Sequence, residues 1–389
     1  MRKPACCAAH IARAIAILLA TIAPLAAHAE LQPEPIPNVE TLKTPYPDSY
    51  AVVHDFAFFN LIDSKFSLVD IETRRFKGML SAGQFATLNL SNSREEFYVG
   101  ETIFSRGTRG ERQDLIAVYD YANLGLVAEI ELPPRRANTV INLANSRLTE
   151  DEKFLLVFLQ NPGTSVAVID LDSRQMVEEV AAPGCALIYP TEKSSFFMLC
   201  GDGTLLTIEL DSEGKLAGRE SSKPFIDIDN DPLSEKSSNT GGVWQFVSYL
   251  GEVQPIDARK STPRLGNTWW LASDAERAAN WRPAGWHGTA GHHSGLLWVG
   301  MTPDGYNGSH KDPAPEVWLF DAKKRTRLGQ FELKSAAISI SVTQHEEPYL
   351  LVVTADATLD VYDAMSGEYL RSIYELGLTP YMVHPLSYR

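Results

Sequence analysis

The side chains best able to do chemistry crowd between residues 269 and 310: Trp269, Trp270, Trp281, Arg282, Trp286, His287, His292, His293 and His310. Four histidines within 24 residues are raw material for a zinc or copper site. Their spacing fits no compact ligand pattern, no cysteine is near, and no carboxylate lies between His287 and His293, so no metal is expected and polar loops or an interface account for them better. The tryptophans read as packing or interface anchors, because a redox cofactor made from tryptophan needs a cross-linked pair of rings. A second unusual stretch is SRGTRGERQD, residues 105–114, which spaces Arg106, Arg109 and Arg112 at threes among glycines. In a chain of net charge -14 this loop is a local positive spot suited to a carboxylate-bearing partner surface. Gly-x-Ser-x-Gly, P-loop and dinucleotide fingerprints are absent, and no acid pair stands out as a hydrolytic dyad. The chain therefore offers a platform with no catalytic residue of its own in view.

Cysteine usage and the N-terminus bear on the compartment. Arg2, Lys3 and Arg13 precede an apolar run from Ala14 to Ala23, followed by Pro24 and Ala27-His28-Ala29. This is the pattern of a secretory signal, residues 1–29, cleaved after Ala29. The apolar run falls short of the roughly 20 residues a membrane helix needs, so no membrane span is expected. Cleavage removes three basic and no acidic residues, leaving a net charge of -17. Such a charge repels phosphate backbones and argues against a nucleic-acid partner. Cys185 and Cys200 are the two cysteines left after cleavage, and in an oxidising compartment they are expected to form a disulfide across the turn near Thr191–Ser194. The chain-entropy model gives such a bridge roughly 3 kcal/mol.

The elements that would carry these residues repeat. An apolar strand ending in Asp, a short polar turn and a second strand recur at Asp70, Asp120, Asp170, Asp211, Asp257, Asp321 and Asp363. The intervals are 50, 50, 41, 46, 64 and 42 residues, near the length of a four-stranded propeller blade, with an insertion before the sixth copy. The reading is all-β, a seven-bladed β-propeller over residues 51–389, in which each Asp caps its own turn. One short helix is expected at 272–281, inside the insertion. Residues 30–50, with five prolines between 31 and 47, form an extended arm over the surface or onto a partner.

Five stretches resemble the heavy (alpha) subunit of the tryptophan tryptophylquinone-dependent amine dehydrogenases, the methylamine and aromatic amine dehydrogenase family. They are TIFSRGTRGERQDLIAVYD (102–120), GCALIYPTEKSSFFMLCGDGTL (184–205), AERAANWRPAGW (275–286), SHKDPAPEVWLFDA (309–322) and the closing SVTQHEEPYLLVVTADATLDVYDAMSGEYLRSI. The resemblance implies a periplasmic α2β2 oxidoreductase that deaminates primary amines, aromatic amines or methylamine, to aldehyde and ammonia. It also implies that the quinone and the catalytic acid sit on a small, disulfide-rich light subunit, and that electrons pass to a blue copper protein, amicyanin or azurin. The family's heavy-chain disulfide matches Cys185 and Cys200. A family phenylalanine at the substrate entrance falls in the segment that here reads GMLSAGQFAT (78–87), which puts Gln84 at its position and Phe85 one residue later. Either a one-residue backbone shift gives Phe85 the role, or Gln84 makes the entrance more polar, or Phe85 is an ordinary core residue. Two other readings compete: an exported propeller that serves only as a protein-interaction scaffold, and a propeller with an active site of its own.

Overall fold

The computed structural model describes residues 41–386 apart from 138 and 140. The signal sequence, its cleavage after Ala29, and residues 30–40 of the expected arm lie outside the described residues. Almost every regular element is a strand, and consecutive strands pair antiparallel. The first sheet runs Pro380–Pro385, Tyr50–Asp55, Ser64–Asp70, Arg75–Ala82. The second is Gln84–Ser91, Glu96–Phe104, Arg112–Asp120, Leu126–Leu132. The first strands of most neighbouring sheets touch, as Gln84–Ser91 does Ser146–Leu148 and that strand Cys185–Pro190, so these strands line a common axis. The C-terminal strand supplies the innermost position of the N-terminal sheet and closes the ring.

The burial pattern explains why these sequences stay in sheets. Second and third strands are covered on both faces, and Phe154–Leu159, FLLVFL, is buried along its whole length. Side chains of one sheet interlock with those of the next. Phe154, Leu156, Val166 and Val168 pack against Phe196, Met198, Leu206 and Ile208 of the following sheet. Each such side chain contributes about 1.5–3 kcal/mol relative to exposure, and Leu156→Ala would cost about 2–5 kcal/mol through the cavity it leaves. Fourth strands are the solvated rim, as in Leu216–Ser221.

The expectation of a seven-bladed propeller is corrected: among the described residues the all-β propeller has five blades, not seven. Five sheets of four or five strands stand alone as blades, and the strands of the last two repeat copies form one eight-stranded sheet. The strand Thr326–Val342 causes the fusion. Its first part pairs with Ala314–Asp321 and its last part with Tyr349–Thr354, with no intervening turn. The segment TRLGQFELKSAAISISV has no proline or paired turn residues to stop the ladder, so the extended backbone runs straight through.

The repeat aspartates occupy one structural place. Asp70, Asp120, Asp170, Asp257, Asp321 and Asp363 end the third strand of their four-strand run, and Asp211 follows directly after its own. Each carboxylate accepts an N–H from its turn: Glu72 at 3.1 Å, Asn123 at 3.1 Å, Ser173 at 2.7 Å, Glu213 at 2.8 Å, Arg259 at 3.1 Å, Lys324 at 2.9 Å and Ser366 at 2.7 Å, in order. The expected helix is present but shorter, Asp274–Ala278, started by a Ser273–Glu276 capping box. The described end of the arm lies on the first two sheets: Leu42 N–H donates to Ala122 O, and Tyr46 stacks on Tyr121 at 4.6 Å.

Candidate functional site

Loops between second and third strands and segments entering first strands emerge at the same end of the sheets, as the pairing of Gln84 with Thr102 and Ser64 with Ala82 requires. This end gathers Gln84 and Phe85, the arginine loop, the Phe56–Asp63 loop and the disulfide. At the axis it carries an apolar cluster of Phe56, Ile141 and Met382, with Leu61, Phe85, Leu143 and Tyr381 packed against it. Beside the cluster, Phe58 and Phe59 project, the latter 80% exposed.

The Gln84–Phe85 backbone is not regular strand. The register with Glu96–Phe104 slips between Gln84 and Thr87, and Phe85 adopts a left-handed φ of 46°. This β-bulge turns the Phe85 ring into the axial cluster. A left-handed non-glycine residue costs free energy and persists only where its surroundings hold it. Three groups do so. Arg136 Nη1 donates to Phe85 O at 2.8 Å and Nη2 to Gln84 O at 2.9 Å. Glu101 Oε2 accepts the Gly83 N–H at 2.5 Å. Gly83 must be glycine, since a Cβ there would lie 2.2 Å from Thr102 O.

Arg136 is 3% exposed, and burial pulls its guanidinium down to about 10, with the Asp114 charge opposing the fall. Asp114, also fully buried, accepts the Arg136 N–H at 2.7 Å and takes a two-pronged contact from Arg112, at 3.0 and 2.8 Å. Burial pushes the Glu101 carboxyl up, against the Gly83 N–H and the Arg136 charge. Arg112 therefore turns inward, and only Arg106 and Arg109 remain on the exposed loop. Arg136, Asp114 and Glu101 are site residues that the motif reading missed.

The cysteines are bonded. They face each other at the open end of the hairpin Cys185–Pro190 and Ser195–Cys200, the far end from the Thr191–Ser194 turn. The four histidines of the insertion do not converge. His287 lies on the axis, its ring edge-on to Tyr381 at 5.7 Å and Nε2 3.5 Å from Ile141 O. His310 stacks on Tyr249 at 3.8 Å at the same end as the arginine loop, while His292 and His293 sit 4.2 Å apart in a turn at the opposite end. No group of three or more potential ligands is placed to hold a metal among the described residues. Trp298 and Trp318 are core, Trp244 and Trp269 are buried, Trp281 packs beside Trp318, and Trp270 and Trp286 carry Arg277 and Lys236 over their faces at 4.1 Å. His54 and His384 lie 6.0 Å apart near the axis and are buried. Burial, together with the charge of Arg147, pulls His384 down to about 3, and burial plus Lys236 does the same to His287.

The end of the sheets thus presents apolar rings at the axis, a strained segment held by a buried arginine, and an exposed pair of arginines. Among the described residues it contains walls and anchors, with no nucleophile hydrogen-bonded to a histidine. The model of the methylamine dehydrogenase heavy chain (MADH) family matches residues 48–386. The methylamine dehydrogenase heavy chain of Paracoccus versutus is 31% identical over 349 residues, 88% of this chain and 80% of that protein. That of Methylophilus methylotrophus is 29% identical over 81% of this chain and 78% of its own length. Among solved structures, dihydro-heme d1 dehydrogenase NirN in complex with DHE superposes with a TM-score of 0.53 at 13% identity, covering 92% of this chain and 80% of that one, a likeness of fold alone.

Proposed function

The chain belongs to the methylamine dehydrogenase heavy-chain family, and from that premise we propose that it is the non-catalytic heavy subunit of a periplasmic quinoprotein amine dehydrogenase. It is a subunit of an amine-oxidising oxidoreductase. Its partner is a small disulfide-rich light subunit, in an α2β2 assembly, that carries the tryptophan tryptophylquinone. The overall conversion turns a primary amine and water into aldehyde and ammonia, releasing two electrons and two protons. The quinone supplies the electron sink, and a blue copper protein, amicyanin or azurin, takes the electrons onward.

This chain's part is positional. The observation that carries the reading is the bulge that sends the Phe85 ring into the apolar cluster at the axis, one residue after the position where the family resemblance expects a phenylalanine. With Phe56, Met382 and Tyr381, Phe85 forms a dry wall over the light subunit's reactive site, excluding water and orienting the amine. Gln84 contributes its backbone carbonyl to the wall's support. Arg106 and Arg109 face carboxylates of the partner, and the exposed Phe58 and Phe59 supply apolar contact.

The test is to purify the chain from its native host and examine what accompanies it. A co-purifying small subunit with quinone absorbance, whose complex reduces a dye with a primary amine, is the expected result. Dye reduction by this chain alone, or a chain that purifies with no quinone subunit, would overturn the reading.

A further inference from the structure

We propose that Arg136 is a positioning residue that sets amine selectivity by locking the Gln84–Phe85 bulge, an inference that rests on the proposed role of Phe85 at the entrance. The geometry is specific to a guanidinium. One fork reaches three acceptors on two strands: Phe85 O at 2.8 Å, Gln84 O at 2.9 Å and Thr102 Oγ1 at 3.0 Å. Two of these are consecutive carbonyls on either side of a left-handed residue, which in a regular strand would point in opposite directions. Binding both with one planar cation is what a bulge permits and a ladder does not.

The clamp is itself fixed. Asp114 accepts the Arg136 N–H at 2.7 Å, and Arg112 bridges back to Arg136 O at 2.7 Å while holding both Asp114 oxygens. Arg112 is also where the exposed 105–111 loop enters its strand, so one polar network joins the partner-facing loop to the entrance segment. On the other side, Glu101 holds the Gly83 N–H. The Phe85 ring is half-buried, so the apolar cluster alone leaves it free to swing out if the backbone relaxes to a regular ladder, which would carry Gln84 to the opposite face. A buried charge directed at backbone carbonyls is costly, and here it is placed where it fixes one ring.

Arg136→Lys keeps the charge for Asp114 but loses the fork. In the complete heavy–light enzyme we expect KM for the preferred amine to rise about tenfold, as loss of one or two charged hydrogen bonds implies, with kcat within about twofold. The ratio of kcat/KM between methylamine and phenylethylamine should move with it. In a Phe85→Ala background the same substitution should change neither, since the ring it positions is gone. Hydrogen–deuterium exchange in Gly83–Ala86 gives a readout independent of activity: it should quicken in Arg136→Lys while the Phe154–Leu159 strand is unchanged. Equal KM effects with and without Phe85, or unchanged exchange at Gly83–Ala86, would overturn the proposal. Phe85→Ala leaving amine preference unaltered would instead sink the entrance reading, a failure that the exchange data keep distinct.

Discussion

Acidification should unfold this protein through its axial histidines before its carboxylates titrate. His287 and His384 are 5% and 4% exposed, and burial holds each at about 3, against 6.5 in an unfolded chain. A base whose folded pKa is depressed binds protons preferentially when unfolded, so stability is full above about pH 6.5 and declines as pH falls toward 3. Between pH 7 and pH 5 each histidine accounts for about 2 kcal/mol, and the pair about 4 kcal/mol as an upper bound. His54, pulled down by burial and by His384 and His287, adds in the same direction. Glu101 and Asp231, pushed up by burial, act oppositely and trim the loss. The assay is urea unfolding of the purified chain at pH 7, 6 and 5, alongside His384→Gln, which keeps a polar side chain but does not titrate. The wild type should lose several kcal/mol, and the variant about 2 kcal/mol less. Equal stability at pH 7 and 5, or an identical loss in the variant, would refute the burial argument.

Three further outcomes are expected. Replacing Cys185 and Cys200 together by alanine should lower unfolding free energy by roughly 3 kcal/mol, the entropy of freeing a loop of this separation, measured by denaturant titration under non-reducing conditions. Phe85→Ala should shift the assembled enzyme's preference between small and aromatic amines more than it shifts the melting temperature, whereas Asp363→Ala, which strips the Met365 and Ser366 N–H groups of their acceptor, should lower melting and leave preference alone. Reversing Arg106 and Arg109 to Glu should weaken light-subunit binding by a factor that shrinks as salt rises, read by titration calorimetry at two ionic strengths.

The repeat was legible because one physical device recurs: a strand must end, its turn has unpaired N–H groups, and an aspartate satisfies them. Even the weak copy at Asp257 keeps that bond, to Arg259 N–H. Sheet count was not legible in the same way. Periodicity marks where strands begin and end, but whether two repeat copies join in one sheet depends on the path between them, and Leu333–Ala337 offers neither a breaker nor a turn signal to part them. The helix could be placed from Ser273 and Glu276 at capping-box spacing, and its end from Asn280, whose left-handed φ of 60° stops the helix after Ala278.

At the site the limit is of another kind. Arg135-Arg136 after two prolines reads as a solvated loop, and nothing local distinguishes the exposed from the buried arginine. Their fates differ because Arg135 meets Glu179 at the surface, while Arg136 meets an aspartate 22 residues earlier that the fold has already buried. The signal lay in that aspartate. Asp114 opens DLIAVYD, whose next residues are wholly buried, and a carboxylate drawn into such a strand requires a cation and N–H donors brought from elsewhere. Arg112 supplies two donors within the strand, which leaves room for a second cation from the loop that follows the sheet. Once Arg136 is committed there, its free fork must find acceptors, and consecutive carbonyls turn toward one cation only if the strand bulges. A left-handed Phe85 is thus the far end of a chain of requirements that begins with one buried acid.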